Sequence, residues 1–329
     1  MRKIRIAQIG TSQYSHGCEI FEALRKNSDI FEVVGYTFPE NEREKFPHRM
    51  KYFDGATEMS LDEILNDETI EAVTVECEEI YLTKYALLAA KHGKHIHMEK
   101  PGSLDMSEFE TLIETVRKKG TVFHIGYMYR YNPFIHDAIE RARNGELGEI
   151  VSVEAHMNIR HPVEMREWQK TFPGGMMFFL GCHLIDLILQ IQGTPERVIP
   201  LNKCTGIDGV TGEDFGMAVF EYKNGVSFAK TTDVEHGGFE RRQLVITGSN
   251  GTIELRPLEQ HVKYPLLWTG RRTVNSEGKA TEDRSGEVDR YGNMMQSFAA
   301  IVRGEKTNPY TLDYELELYK TVRKACGME

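Results

Sequence analysis

Cysteine is scarce in this chain of 329 residues: Cys18, Cys77, Cys182, Cys204 and Cys326 are the full complement, and no two form a C-x-x-C pair. Such scatter offers neither a disulfide framework nor a thiolate zinc site, and it fits a reducing cytoplasm. Long apolar runs are missing too. Nowhere do roughly 18 apolar residues follow one another, as a spanning helix requires, so no membrane partner is expected. The opening residues, Met1-Arg2-Lys3-Ile4-Arg5-Ile6-Ala7, pass straight into a strand pattern without the apolar core and small-residue cleavage site of an export signal. No low-complexity tract and no fixed-period repeat is evident. Basic charge is in deficit, 40 Lys and Arg against 50 Asp and Glu, for a net charge of −10. That balance disfavours nucleic acid or an anionic membrane as partner and leaves a small molecule as the expected ligand.

What is present is a regular alternation of strand and helix patterns. The length exceeds one ordinary core and fits two domains. Ile4 to Ile9 is apolar enough for a strand buried on both faces, and Gly10 ends it. A helix over Cys18 to Asn27 follows, then strands Phe31 to Thr37 and Ile70 to Cys77 with a short helix, Leu61 to Asn66, between them. Tyr81 to His92 repeats apolar residues at helical spacing and is capped by Gly93. A strand Lys94 to Met98, a helix opened by Ser107 and a strand Thr121 to Gly126 complete the series. This order predicts parallel βαβ units of the nucleotide-binding, Rossmann type over residues 1–126. From 127 to 329 the pattern changes to alternating strands joined by turns such as Lys223-Asn224-Gly225 and Ser249-Asn250-Gly251, which are hairpin signals. The second domain is therefore read as α+β with a large, open, mainly antiparallel sheet, closed by helices Tyr291 to Arg303 and Leu312 to Cys326. Thr269 to Asp289 reads as a long polar loop.

Chemistry concentrates in two stretches. His95-Ile96-His97-Met98-Glu99-Lys100-Pro101-Gly102 stops a strand at a charged pair and a proline, which cannot continue a sheet ladder. Strand carboxyl ends of an open parallel sheet face its ligand crevice. Lys100 is thus either a group presented to a ligand or a solvated lysine in a turn. In Gly174-Gly175-Met176-Met177-Phe178-Phe179-Leu180-Gly181-Cys182-His183-Leu184-Ile185-Asp186, an apolar helix begins after Gly181 and carries His183 and Asp186 one turn apart. Such a histidine is either a core residue or a base. The turn after the first strand, Gly10-Thr11-Ser12-Gln13-Tyr14-Ser15, keeps the first glycine of a G-x-G-x-x-G fingerprint; Ser12 and Ser15 fill the other two places, where their hydroxyls face a phosphate or cap the helix. Phe38 stands where an acid would hold ribose hydroxyls, and Cys77-Glu78-Glu79 sets two carboxylates near a pyrophosphate site, where they repel it unless turned away or protonated.

These residues, with Gly93-Lys94-His95-Ile96, Gly126-Tyr127-Met128-Tyr129-Arg130-Tyr131-Asn132-Pro133 and Leu147-Gly148-Glu149-Ile150, resemble the Gfo/Idh/MocA family, relatives of glucose-fructose oxidoreductase and inositol dehydrogenase. The likeness spans the chain nearly end to end. It implies a Rossmann domain holding NAD or NADP, a C-terminal sheet that packs against another subunit in a homo-oligomer, and oxidation of a sugar, polyol or related carbohydrate. By the same resemblance Lys100 contacts the reacting hydroxyl and the nicotinamide ribose, and His183 is the general base; Gly10, Ser12, Gln13, Phe38, Cys77, Glu78, Glu99 and Tyr127 fall at cofactor-binding positions. Imidazole titrates near neutrality and a fixed ammonium stabilises an alkoxide, so both side chains suit those roles.

The sequence also departs from the family pattern. Phe179 replaces an Asp four residues before the histidine, Cys77-Glu78 replaces a Thr-Pro turn, and Phe38 replaces the ribose acid, while Arg43 nearby keeps NADP open. Two further readings follow: a lyase or glycosidase that keeps NAD bound and uses transient oxidation, and a non-catalytic carbohydrate-binding relative. Softer substrate candidates are Arg130, set either to bind an anion or to form a structural ion pair; Trp168, to stack on a sugar or to pack; and His156, His161 and His236. No close histidine pair points to a metal.

Overall fold

The structure, a computed structural model, describes residues 2–328. It divides into two compact units: the chain up to Tyr127 with Tyr291–Leu316, and Met128–Arg290 with Glu317 onwards. A single cut at 126/127 thus misses the return of the chain to the first unit.

The first unit is a five-stranded parallel sheet in the order β2-β1-β3-β4-β5. Its strands are β1 (Ile4–Ile9), β2 (Phe31–Thr37), β3 (Ala72–Val75), β4 (His95–Met98) and β5 (Phe123–Ile125). β3 and β5 are wholly buried and β1 nearly so, which is why they read as continuous apolar runs. The helices are α1 (Gly17–Lys26), a single turn α2 (Glu42–Lys45), α3 (Leu61–Asn66), α4 (Leu82–Lys91) and α5 (Met106–Lys119). Their ends follow local chemistry. Ser60 and Glu63 form a capping box on α3, and the Asp105 carboxylate, not Ser107, caps α5 by accepting from the Ser107 and Glu108 amides. The register aligns Thr37, Ile9, Val75, Met98 and Ile125 side by side, so the residues that follow them share one edge of the sheet. Phe38, Gly10, Cys77, Lys100 and Tyr127 are brought together in this way, as the strand pattern predicts.

The second unit holds α6 (Pro133–Arg143), β6 (Ile150–His156), α7 (Val163–Trp168), α8 (Cys182–Gln192), β7 (Arg197–Pro200), β8 (Phe215–Tyr222), β9 (Gly225–Thr232), β10 (Gln243–Gly248) and β11 (Gly251–Leu255). The two turn signals make the β8–β9 and β10–β11 hairpins, closing at Tyr222↔Gly225 and Gly248↔Gly251. With β14 (Gly270–Asn275) and β15 (Ala280–Arg284), eight strands form the sheet β15-β14-β11-β10-β6-β9-β8-β7, antiparallel except between β6 and β9. Its inner face, Val153, Ala155, Phe220, Ala229, Leu244, Ile246 and Ile253, is fully buried, and α8, buried along nearly all its length, packs on it.

Thr269 to Asp289 is not a loop. It contains β14 (Gly270–Asn275), β15 (Ala280–Arg284) and β16 (Val288–Asp289), and β16 joins β12 (Gln260–Lys263) and β13 (Leu266–Trp268) in a small third sheet. β15 is an exposed edge strand, ATEDR, with every residue in solvent, so it lacks the apolar alternation that marks a strand in sequence. Closing the chain, α9 (Gly292–Val302) packs against α1 in the first unit, and α10 (Leu312–Ala325) runs from one unit into the other.

Candidate functional site

In the first unit the turn after β1 is tight for a steric reason. Gly10 has φ +85°, and a Cβ there would lie 2.3 Å from Cys77 Sγ at the end of β3. The amides of this turn are mostly spoken for. Thr11 N–H donates to Glu42 Oε2 at 2.9 Å, Ser12 N–H donates to Ser15 Oγ at 3.1 Å, and Ser15 Oγ also accepts from Gly17 N–H at 3.3 Å. Ser15 therefore caps the start of α1. Arg49 closes the turn from outside by donating to the carbonyls of Gln13 and Ser15. The Gln13 side-chain amide donates to the Tyr14 hydroxyl at 3.1 Å, while the backbone N–H of Gln13, an exposed residue, makes no hydrogen bond among the described residues and suits a phosphate.

The carboxylates around this edge divide into paired and neutral ones. Glu78 turns away to Lys45, 3.0 Å off. Glu42, Glu76, Glu79 and Glu99 are buried. Burial lifts the Glu42 carboxyl to about 9 against the Thr11 amide, which favours its ionised form. Burial likewise lifts Glu79 to about 7, with the Lys100 ammonium opposing, and holds Glu76 well above the usual carboxylate range, helped by Glu99. The repulsion expected of these acids is thus relieved by pairing and protonation. Both carboxyl oxygens of Glu79 lack a hydrogen-bond partner, and such buried acceptors suit the hydroxyl or amide donors of a ribose or carboxamide. Lys100 follows β4 as expected, is nearly buried, and has its Nζ 3.7 Å from Glu99 Oε1.

Phe38 packs edge-on against Phe53 and tilted against Tyr36, both at 4.8 Å between centroids, with the Arg43 guanidinium 5.6 Å above it. Arg43 is paired with Glu58. Cys77 is fully buried, and burial pushes its thiol up, so it is a packing residue under the Gly10 turn. Tyr127 is also among the largest fully buried side chains, because it leaves β5 into the core.

In the second unit the glycine-rich block is a π turn, Met177–Gly181, running directly into α8. Its wider coil was not visible in the sequence. His183 lies in the first turn of α8, 2% exposed, with the Tyr129 ring edge-on at 5.6 Å. The Tyr129 hydroxyl donates to Glu259 Oε1 at 2.8 Å, and Glu259 is bound by Arg242 and, at 3.2 Å, by Arg290. Burial opposes ionisation of Glu259, yet the two guanidinium groups hold its carboxyl below the ordinary range. Tyr129 and Glu259 position the histidine, and sequence reasoning missed both; the aromatic residue before Arg130 was the available signal. Asp186 faces Arg130, whose Nε and Nη2 bind its carboxylate at 2.8–3.1 Å, and Gln190 adds a bond of 2.9 Å. Arg130 is therefore the structural partner of Asp186 rather than an anion receptor. Trp168 stands edge-on to Phe179 at 5.3 Å, and the His161 ring lies 6.4 Å from Phe179. The structure does not bring the other histidines here: His236 is exposed in the turn after β9, and His156 lies on the outer face of the sheet beside Phe228.

Two family models match this chain. The one described as an oxidoreductase family with an NAD-binding Rossmann fold covers residues 4–127, and the GFO/IDH/MocA C-terminal domain covers 135–254, together well over half of the chain. The chain belongs to this oxidoreductase family.

Curated relatives include an NADP(+)-dependent D-xylose 1-dehydrogenase of Haloferax volcanii, 22% identical over 80% of this chain and 79% of that protein. Another is an NADP(+)-dependent scyllo-inositol 2-dehydrogenase of Bacillus subtilis, 25% identical over 60% of this chain and 55% of that one. Among solved structures, the aldose-aldose oxidoreductase of Caulobacter crescentus superposes with a TM-score of 0.80 over 99% of this chain and 98% of that one at 15% identity. A 3-ketoreductase of Actinomadura kijaniata, solved with TDP-benzene and NADP, gives 0.77 over 98% and 96% at 18% identity. The family's nicotinamide dinucleotide fits the first unit: the Gly10 turn, the Gln13 backbone N–H, the two free oxygens of Glu79 and Lys100 lie along one sheet edge. Among the described residues no helix is long and apolar enough to cross a membrane.

Proposed function

We propose that this protein is an NAD(P)-dependent dehydrogenase or reductase acting on one hydroxyl, or the matching carbonyl, of a sugar or polyol, with Lys100 and His183 as its catalytic pair. The observation that carries the reading is positional. In a chain of this family, Lys100 follows the fourth parallel strand and His183 lies in the first turn of α8, and the motif resemblance of the Glu-Lys-Pro and glycine-histidine blocks supports giving them the catalytic roles. His183 takes the hydroxyl proton, and the Lys100 ammonium stabilises the alkoxide that forms. Tyr129, anchored through Glu259, limits the tilt of the imidazole. Hydride acceptance from the same carbon is the chemistry that the bound dinucleotide supplies. Two of the relatives, a xylose and an inositol dehydrogenase, support the substrate class.

Purified protein given NAD+ or NADP+ with D-xylose, scyllo-inositol and related polyols tests this. Growth of the reduced-nicotinamide absorbance band is the expected result, and silence across the panel in both directions contradicts it. A second reading is favoured by Phe179, which puts an aromatic ring where the family has an acid: a lyase or glycosidase that retains NAD. Denatured protein then releases a dinucleotide, and finding none removes that reading. The five free cysteines agree with a cytoplasmic setting. The outer face of the large sheet, with Met217, Val219, Phe228 and Val245 half-buried, supports a homo-oligomer formed through that face.

A further inference from the structure

Position 179, where the resemblance expects an acid, holds Phe179, and the second unit places an imidazole and a carboxylate near that ring. His161 and Asp233 are neighbours across a short antiparallel contact. His161 N–H donates to the Asp233 carbonyl at 2.9 Å, and Arg160 bridges Val234. Side by side, their side chains point the same way: His161 Nδ1 lies 3.7 Å from Asp233 Oδ2. Asp233 is completely buried, and neither of its oxygens has a hydrogen-bond partner; His161 Nδ1 has none either. A small rotation closes that gap into a hydrogen bond.

The charges around the pair leave a place for a proton. Asp208, Asp214 and Asp233 gather around Arg166, which bonds Asp208 and Asp214 at 2.7 Å each and approaches Asp233 at 3.4 Å through Nε. Arg160 pairs with Asp208. Two guanidinium groups thus face three carboxylates. The other bases nearby are engaged elsewhere, Lys170 with Glu167, and Lys230 and Arg241 with Glu235. His161 is the remaining basic neighbour of the third carboxylate. Its Nδ1 edge is buried against Asp233, so the 12% of the side chain that stays exposed belongs to the rest of the ring. Beside it the buried Phe179 packs edge-on against the half-buried Trp168, whose indole is the ring of this cluster with surface to offer a sugar.

We propose that His161, oriented by Asp233, is a second proton-transfer residue of the carbohydrate site, making the polar contact that Phe179 cannot make. The inference rests on the oxidoreductase reading for its substrate class. A sugar hydroxyl gives its proton to Nε2, the ring holds it as imidazolium with Nδ1–H directed to Asp233, and the return step delivers it back; no electron pair leaves the substrate in this exchange. Asp233 touches no substrate and is a positioning residue.

The test uses full-length protein labelled with 15N-histidine and saturated with NADP+, the His161 signal being assigned by its loss in His161→Gln. Asp233→Asn is expected to remove the Nδ1–H partner and move the His161 Nδ1 resonance, and D-xylose or scyllo-inositol to shift its Nε2 resonance. An Nδ1 resonance unmoved by Asp233→Asn, or an Nε2 resonance indifferent to both polyols, overturns the proposal, whether or not hydride transfer is seen. Where the wild type does reduce NADP+, His161→Gln is expected to lower kcat/KM at least about tenfold and to remove one limb of the pH profile. The double variant His161→Gln/Phe179→Asp recovers part of that loss by restoring a carboxylate. An unaltered pH profile in His161→Gln overturns the inference while leaving the oxidoreductase reading in place, and loss of hydride transfer in the wild type overturns that reading alone.

Discussion

Glu42 shows how one side chain tunes a cofactor turn. Its carboxyl receives the Thr11 amide, and burial keeps it protonated to about pH 9. In the unfolded chain it loses its proton near 4.3. Between those values the folded state binds one proton more than the unfolded state, so stability falls as pH rises, by roughly 4 kcal/mol at pH 7 for this group. Glu79, lifted to about 7, acts with the same sign over a narrower window. Glu42→Gln keeps an acceptor for Thr11 and removes the charge. Denaturant titrations are expected to show this variant more stable than wild type at pH 8, with the advantage shrinking towards pH 5. Arg130 and Asp186 make the opposite case, a buried pair with strong geometry. Arg130→Met alone strands the Asp186 charge and is expected to cost about 3–5 kcal/mol, while Arg130→Met with Asp186→Leu restores most of it. A single variant as stable as the wild type would contradict the structural role given to Arg130.

At the scale of elements, the turn between β1 and α1 depends on a residue without a side chain. Gly10→Ala adds a methyl group 2.3 Å from Cys77 Sγ at a positive φ, and is expected to lower stability by ~1–3 kcal/mol and to weaken dinucleotide binding in a fluorescence titration. Full retention of both would show that the turn opens freely. Elements of this kind were readable in the sequence because their causes are local: buried strands are apolar throughout, hairpins carry Asn-Gly, and helices end at Gly93 and Gly120. What escaped reading has non-local causes. β15 is a polar edge strand whose pairing with β14 is set by tertiary position. The π turn at Met177–Gly181 has the composition of an ordinary apolar helix. Lys100 and His183 stood out in the sequence by their place after a strand and on an apolar helix, and the family resemblance gave them roles that the residues alone left open. The partners of His183 and His161, namely Tyr129, Glu259 and Asp233, lie far away in sequence and became visible through packing.

For the whole molecule, Lys100 follows a strand of the first unit and His183 opens α8 of the second, so the proposed catalytic pair draws one residue from each. The large sheet of the second unit buries one face and leaves Met217, Val219, Phe228 and Val245 on the other. If that face joins two copies, Phe228→Asp with Val245→Glu is expected to halve the mass measured by light scattering, or reduce it further, without altering the fold. An unchanged oligomer would place the interface elsewhere. The central claim, a hydride-transferring enzyme that depends on one amine and one imidazole, is tested most directly by following reduced nicotinamide in the wild type, Lys100→Ala and His183→Ala, with NAD+ or NADP+ and a sugar and polyol panel. The account predicts turnover by the wild type and a fall in kcat of at least about a hundredfold in each variant. Turnover that survives both substitutions would contradict it.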